Sequence, residues 1–197
     1  MENIHPIFDT ILGTEKKEKL LGQRALVIWM VGLSGSGKST IARALENKLH
    51  ERGHHTALLD GDNLRTGINN NLGFSAEDRT ENIRRAAEAA KLLADNGVIT
   101  ICSLISPTEN IRTMASDIIG DKYCEVFINC PLAVCEKRDV KGLYAKARRG
   151  EIKSFTGIDS PFEEPVNPGI ALNTADNTAA ENLDILLKYI LPKIKIQ

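Results

Sequence analysis

Residues 32–39, with the sequence GLSGSGKS, constrain this chain more than any other stretch. They match the pattern G-x-x-x-x-G-K-[ST], which is typical of a loop that cradles phosphates. An apolar run at 26–31 precedes the loop and a helix-forming segment at 40–49 follows it, as the motif requires. Glycine at 35 and 37 allows backbone N–H groups to turn toward an anion at the helix start. The sequence therefore predicts a site for the phosphates of a nucleoside triphosphate.

Two side chains of this loop have predicted roles. Lys38 is expected to reach the β and γ phosphates, and the Ser39 hydroxyl is expected to bind Mg²⁺. The predicted triphosphate-binding residues are Gly32, Leu33, Ser34, Gly35, Ser36, Gly37, Lys38, Ser39 and Thr40. The alternative is a glycine-rich turn without a ligand, and the alignment of strand, loop and helix argues against it.

The composition is that of an ordinary globular chain. The 197 residues suit one domain, with 42% hydrophobic and 26% charged residues and a formal net charge of −1, which gives no basis for nucleic-acid binding. We find no signal-peptide pattern and no apolar run long enough to span a bilayer, so we expect a cytoplasmic protein with no membrane partner. The four cysteines lack metal-binding spacing and are expected to be buried, reduced thiols.

Apolar runs and helix-forming segments alternate along the chain. Strands are expected at 26–31, 56–59, 98–102, 124–129 and 169–172, and helices at 40–49, 79–95, 108–119, 132–138 and 179–190, the last ended by Pro192. This alternation predicts an α/β fold, a P-loop NTPase-type three-layer sandwich with a mostly parallel five-stranded sheet and helices on both faces. Because ligands bind beyond the carboxyl ends of such strands, we expect the site there.

The other segments define the expected domain organisation. Residues 1–24 are predicted to form an N-terminal arm with a short helix closed by Gly22, and residues 25–197 a single P-loop domain. Residues 63–75, rich in Asn and Gly, are predicted to be a loop that lines the site. Residues 139–168 are charged and then rich in Gly and Pro, without a sustained period, and we expect them to form a lid.

The acidic residues after the second strand favour a small-molecule kinase. A GTPase would need Asn-Lys-x-Asp and a motor ATPase an apolar strand ending in Asp-Glu, and neither occurs. Asp60 and Asp62 follow the second strand and, on an extended segment, would point to one side. One acid can face the metal while another orients or deprotonates an acceptor hydroxyl. A plain Asp-Gly turn is the alternative.

Basic and aromatic residues surround the expected acceptor site. Arg79, at a helix start, is a candidate for gripping an anion, whereas Arg84 or Arg85 is expected to be solvated surface. Phe74 and Phe155 lie in polar loops and could clasp a planar base, although simple packing is the alternative. The basic run at 146–149 fits either phosphate contact or solvated charge.

The longer motifs resemble those of the adenylyl-sulfate (APS) kinase family. They are GLSGSGKST at 32–40, LDGDN at 59–63, LGFS at 72–75, DR at 78–79, ENIRR at 81–85, ISP at 105–107, KGLY at 141–144, KAR at 146–148 and FTGID at 155–159. The resemblance covers residues 22–175. Many families share the first motif, but the later motifs in this order are highly specific.

The resemblance implies phosphorylation of the 3′-hydroxyl of adenosine 5′-phosphosulfate (APS) to 3′-phosphoadenylyl sulfate (PAPS), with ATP as co-substrate and Mg²⁺ as cofactor. The implied catalytic residues are Lys38, Asp62 and Ser106, and the implied metal ligands are Ser39 and Asp60. The implied substrate-binding residues are Asp62, Arg65, Phe74, Arg79, Asn82, Ile105, Ser106, Lys141 and Phe155, with the two phenylalanines around the adenine. The resemblance also implies a homodimer, to which the N-terminal arm contributes.

Ser106 is expected to bind substrate, because direct in-line transfer needs no phosphoserine intermediate.

Some positions depart from the family pattern and bear on substrate affinity: Leu104, Thr108, Val140, Thr66, Asn70 and Asn71. Two alternatives stay open. One is a kinase of another modified nucleotide on the same scaffold, and the other is a nucleotide-gated binding protein that transfers nothing.

Overall fold

A five-stranded sheet forms the centre of the molecule, for which a computed structural model describes residues 3–196. The strands are β1 (Val27–Val31), β2 (Thr56–Asp60), β3 (Ile99–Ser103), β4 (Tyr123–Asn129) and β5 (Ile170–Asn173). They lie in the order β2-β3-β1-β4-β5, and every neighbouring pair is parallel. The predicted α/β sandwich is confirmed, and the carboxyl ends of all five strands meet at one edge.

Eight α-helices accompany the sheet within the described residues. They are α1 (Thr14–Leu21), α2 (Lys38–Glu51), α3 (Gly61–Thr66), α4 (Ala76–Ala94), α5 (Glu109–Ile119), α6 (Leu132–Arg138), α7 (Leu143–Arg148) and α8 (Ala179–Ile194). Helices α2 and α8 pack on one face of the sheet, and α4 and α5 pack on the other. None of the helices in residues 3–196 has the length and hydropathy needed to cross a membrane.

Strand β1 is buried on both faces, which explains its continuous apolar sequence. Ile28 and Met30 join the core under α2 and α8, whereas Val27, Trp29 and Val31 join the core under α4 and α5. Burial of each large side chain contributes about 2–3 kcal/mol to folding. This strand therefore fixes the position of the phosphate loop that follows it.

Two short helices were not predicted. Helix α3 occupies the start of the segment predicted as a loop at 63–75, and Asp60 caps it by accepting a hydrogen bond from Asp62 N at 3.0 Å. Helix α7 lies inside the lid segment 139–168, where the Asp139 carboxylate accepts from Tyr144 N at 3.0 Å. Six residues are too few for a recognisable apolar period, and in each helix an aspartate carboxylate accepts from N–H groups of the first turn.

The predicted end of the last helix at Pro192 is wrong. Helix α8 continues through Pro192 to Ile194, although proline removes one helical N–H. Ile194 is fully buried, and its carbonyl accepts a hydrogen bond from Arg24 N at 2.7 Å. Tertiary contacts therefore hold the final turn.

Two predictions are confirmed, one about the end of α1 and one about the cysteines. Gly22 ends α1 in the left-handed conformation. The thiols at positions 102, 124, 130 and 135 are all free and buried.

Candidate active site

The phosphate loop forms a tight turn between β1 and α2. Gly35 and Gly37 adopt φ values of 73° and 100°, which favour glycine, and α2 begins at Lys38. The Lys38 ammonium is buried and donates to the carbonyl oxygens of Gly32 at 2.9 Å and Leu33 at 2.7 Å. The loop and the helix N-terminus together present a positive field to an anion.

Burial also changes the acid–base behaviour of Lys38. It lowers the pKa of the ammonium from the ordinary 10.5 to about 8, although the Asp60 carboxylate opposes this shift. A phosphate beside Lys38 would favour the charged form and oppose the shift further.

Oxygen donors gather where the phosphate loop meets β2. Ser39 Oγ donates to Asp60 Oδ2 at 2.7 Å and lies 3.2 Å from Ser103 Oγ. Hydroxyl and carboxylate oxygens suit Mg²⁺, which keeps several waters and takes other ligands from phosphates. Within residues 3–196 no group of three His, Cys, Asp or Glu side chains is placed to hold a metal ion. The Ser39 and Asp60 oxygens, which lie 2.7 Å apart, fit a Mg²⁺ site that is completed by phosphates and waters.

The prediction that Asp60 and Asp62 extend to one side of a strand is wrong. Asp60 ends β2, whereas Asp62 lies in the first turn of α3 because Asp60 caps that helix. The Asp62 carboxylate forms an ion pair with Lys141 of the lid segment, and both side chains remain exposed. The two acids therefore face different partners, a loop hydroxyl and a lid ammonium.

Arg79, in the first turn of α4, connects two loops that carry the predicted aromatic residues. Its Nε donates to Phe74 O at 3.0 Å, and its Nη atoms donate to Ser154 O and Thr156 Oγ1. The guanidinium therefore joins the 67–75 segment to the lid.

The two candidate aromatic rings have different surroundings. Phe74 is 62% exposed, and the Arg65 guanidinium lies 4.3 Å from its ring centre. Phe155 packs edge-on against Tyr144 with ring centres 5.0 Å apart, and Tyr144 OH donates to Ser34 O at 2.8 Å. Tyr144, which sequence reasoning missed, thus connects the lid to the phosphate loop.

Asn82 has a buried partner that the sequence did not reveal. Asn69 is fully buried, and its Nδ2 donates to Asn82 Oδ1 at 3.0 Å. Because this bond uses the Asn82 oxygen, Asn82 has its Nδ2 donor left for a ligand. No local pattern distinguishes Asn69 from its neighbours Asn70 and Asn71.

Ser106 lies in the turn after β3, next to the phosphate loop. Its Oγ accepts a hydrogen bond from Trp29 Nε1 at 3.0 Å, and the preceding Ile105 carbonyl accepts from Gly32 N at 3.4 Å. An indole N–H only donates, so Trp29 cannot act as a base for this hydroxyl. Ser106 is buried and has φ 47°, an uncommon value for a residue other than glycine.

Arg138 and Thr174 support the loop from the β4–β5 side, and sequence reasoning missed both. Thr174 Oγ1 donates to Ser36 O at 2.6 Å, and Arg138 Nη1 lies 3.4 Å from Gly35 O while Nη2 donates to Thr174 O. Neither residue belongs to a short motif, so no sequence signal identified them.

Four other arginines near the site pair with neighbouring acids. Arg84 and Arg85 both bond Glu81, and Arg85 also donates to Asn71 Oδ1 at 2.8 Å. In the basic run, Arg148 pairs with Glu136 and Arg149 pairs with Glu151, and all four side chains are at least 31% exposed. These contacts favour the surface interpretation.

The departures from the family pattern lie around the site. Leu104 is buried in the core beside α4 and α5, and Val140 is 88% exposed. Thr66 Oγ1 donates to Asn63 O at 2.8 Å inside α3. Thr108 precedes α5 without capping it through its side chain.

Cavity size does not identify the active site. A cavity of about 990 Å³ lies at the amino-terminal edge of the sheet, beside Leu26 and Tyr123, away from the phosphate loop. A smaller one of about 510 Å³ lies between β4 and the lid and reaches Leu33. We assign the site from the charged and phosphate-binding groups, because they collect at the carboxyl edge, where ligands of such sheets bind.

Comparison with known proteins shows the relationships of the chain. The family model for adenylylsulphate kinase matches residues 24–173. The adenylyl-sulfate kinase of Bacteroides fragilis is 60% identical over 193 residues, 98% of this chain and 96% of that protein. The Mycobacterium tuberculosis APS kinase CysC, solved in complex with AMPPNP and APS, is 47% identical with a TM-score of 0.82, covering 85% of this chain and 98% of that one. A hexameric APS kinase from Thiobacillus denitrificans is 27% identical, with a TM-score of 0.66 over 87% of this chain and 30% of that one.

Proposed function

This chain belongs to the adenylyl-sulfate kinase family and converts APS to PAPS with ATP, and we propose that it does so in the cleft at the carboxyl edge of the sheet. The observation that carries this proposal is the pair Asp62–Lys141 beside the linked pair Ser39–Asp60. This arrangement places Asp62, an acid that can accept the proton of a hydroxyl, next to the phosphate loop, which can hold the triphosphate of the donor.

The donor side binds the triphosphate of ATP. The backbone N–H groups of residues 32–40 and the Lys38 ammonium hold its phosphates, and Lys38 neutralises charge as it develops on the transferred group. Ser39 and Asp60 would hold Mg²⁺, which supplies further charge neutralisation when bound. The buried position of Lys38 supports this role, because a desolvated charge acts more strongly on its ligand.

The acceptor side presents the 3′-hydroxyl of APS. Asp62 accepts the proton of this hydroxyl as the hydroxyl oxygen attacks the γ-phosphorus, and the bond from that phosphorus to the β–γ bridging oxygen breaks to release ADP. Lys141 keeps the carboxylate in position. The other residues proposed to hold APS are Arg65, Phe74, Arg79, Asn82, Ile105, Ser106 and Phe155. Arg65 and Arg79 suit the phosphosulfate anion, and the two phenylalanines suit the adenine.

We propose direct transfer between the nucleotides, with Ser106 as a binding residue. Its hydroxyl oxygen accepts from Trp29, and its proton is left to donate to a ligand. A nucleophilic serine would need a neighbouring base, and the indole cannot supply one.

Comparison of acceptors tests the assignment. With ATP and Mg²⁺, we expect single-turnover transfer to APS and much slower transfer to AMP, which lacks the sulfate. Equal transfer to another modified nucleotide would favour the first alternative. Tight ATP and APS binding without any transfer would favour a nucleotide-gated binding protein.

We propose a homodimer, a cytoplasmic location and a single kinase domain at 25–197 with a lid at 139–168. Exposed apolar side chains on the arm support the dimer: Ile4, Ile7, Phe8, Ile11 and Leu12. Four free thiols and the need for ATP support the location. Sedimentation velocity tests the dimer, and we expect a molecular mass of twice the 21.6 kDa of one chain. A chain that lacks residues 1–13 should sediment as a monomer. Cell fractionation would test the location.

A further inference from the structure

Two serine residues beside the proposed acceptor site have left-handed backbones, and an arginine binds the carbonyl of each. Ser106 has φ 47° and Ser154 has φ 55°. Arg79 binds Ser154 O and belongs to the proposed APS site, whereas Arg112 binds Ser106 O at 3.2 Å and has no role so far. Such a conformation persists when its surroundings hold it.

Arg112 is a buried arginine of α5 that joins three separate segments. It is 5% exposed, and the same Nη1 that reaches Ser106 O also donates to Glu163 O at 2.8 Å. Its Nε lies 3.7 Å from Glu125 Oε2 on β4, and Tyr123 OH donates to that same oxygen at 2.9 Å. Strand β4 thus positions the guanidinium, and the guanidinium binds both the turn at Ser106 and the lid at Glu163.

The lid returns to the body of the protein at Glu163. Besides the bond from Arg112, Glu163 N donates to Pro107 O at 2.8 Å, and its carboxylate accepts from Glu109 N at 2.7 Å. Arg79 holds the lid at residues 154–156, so the two arginines fasten opposite ends of the segment that carries Phe155.

We infer that Arg112 is a positioning residue for the acceptor: it holds the Ser106 turn and the returning end of the lid in the arrangement that binds APS. This inference rests on the proposed role of Ser106 and of the lid in APS binding. Arg112 acts through main-chain carbonyls and touches neither nucleotide. Loss of its hydrogen bonds therefore weakens APS binding and leaves the donor site intact.

Variants of Arg112 test the inference through both kinetics and spectroscopy. We expect Arg112→Met to raise KM for APS about tenfold or more, with KM for ATP changed less than about twofold. Arg112→Lys keeps the charge and some of the hydrogen-bond donors, so its KM for APS should lie between those of wild type and Arg112→Met. Arg52→Met, an exposed arginine at the end of α2, is the matched control and should behave as wild type.

Trp29 is the single tryptophan of the chain, and its indole bonds Ser106. Its fluorescence therefore reports on the turn that Arg112 holds. Ser106→Ala, which removes the indole's acceptor, gives the reference spectrum, and Arg112→Met should shift the emission in the same direction. Arg52→Met should leave it unchanged.

The outcomes separate the inference from the function on which it rests. A folded Arg112→Met with wild-type KM for APS and wild-type emission would overturn the inference. So would equal increases in both KM values with a lower Tm and no spectral shift, since these indicate a structural role alone. If Arg112→Met fails to fold, Arg112→Lys decides by the same measurements. If Ser106→Ala itself binds APS normally, the proposed role of Ser106 has failed instead.

Discussion

The two halves of the proposed site are built in different ways. The donor half is one continuous stretch, residues 32–40, and it binds through main-chain groups and the buried Lys38. The acceptor half combines side chains from α3, α4, the turn after β3 and the lid, and Phe74, Asp62 and Lys141 are largely exposed. The donor half is therefore one continuous segment that Arg138 and Thr174 support from outside. The acceptor half is instead assembled from segments that are distant in the sequence and are joined by Arg79 and Arg112.

The largest effect that separates the halves should come from Asp62→Ala. Removal of the proposed proton acceptor should lower kcat on the order of 10³-fold. ATP affinity, measured by calorimetry, should change less than about twofold, because Asp62 belongs to the acceptor half. Asp184→Ala, an exposed acid on α8, is the control. Near-normal turnover in Asp62→Ala would show that the role is wrong.

A pair of glycine substitutions should sharpen the contrast. A Cβ at Gly32 would lie 2.7 Å from Ile128 O and 2.8 Å from Ser36 Oγ, so the phosphate loop must shift. We expect Gly32→Ala to lose about 1–3 kcal/mol of stability and about tenfold in ATP affinity.

Gly61, in α3 of the acceptor half, is the matched site. Its Cβ would meet Leu104 Cδ2 at 3.4 Å, an ordinary contact. Alanine at this site should stabilise the protein by about 0.4–1 kcal/mol, because it lowers the conformational entropy of the unfolded chain. Thermal unfolding and ATP titration of both variants check the difference. Equal losses in the two would contradict a rigid donor half and a more tolerant acceptor half.

The smallest effect concerns the pH dependence of the donor half. Free Lys38 loses its proton as pH rises through about 8, so ATP affinity should fall above pH 8, by about tenfold per unit at most. The pKa of Lys38 in the folded state lies below the unfolded value of 10.5, so the charged form opposes folding. The contribution of Lys38 to the free energy of unfolding should therefore rise as pH increases from 8 to 10.5.

Lys38→Met removes both effects and serves as the reference for each. Calorimetric ATP titrations and denaturant unfolding from pH 7 to 10 provide the comparison. The same decline of affinity in Lys38→Met as in wild type would assign the pH dependence to another group.

The same contrast explains what the sequence could predict. The strand, loop and helix around residues 32–40 followed from local pattern, since a buried parallel strand is continuously apolar and the loop requires glycine at fixed positions. The alternation of strands and helices along the chain could also be predicted from local pattern. Helices α3 and α7 could not, because each has only six residues and depends on an aspartate, Asp60 or Asp139, that accepts from N–H groups of its first turn.

The residues of the acceptor half were predicted largely from the resemblance to the family, and the residues that hold them in place were not predicted. Asn69, Arg112 and Tyr144 support the site through contacts between segments distant in the sequence. No periodicity or short motif records such contacts. A single sequence therefore names the groups that meet the ligand more readily than those that hold them in place.

The hydrogen bond from Arg24 N to Ile194 O has a practical consequence for experiments on this enzyme. It joins the entry to β1 with the last turn of α8, on the side of the sheet opposite the nucleotide cleft. A tether for surface immobilisation, attached after Ile194, would leave ATP and APS free access.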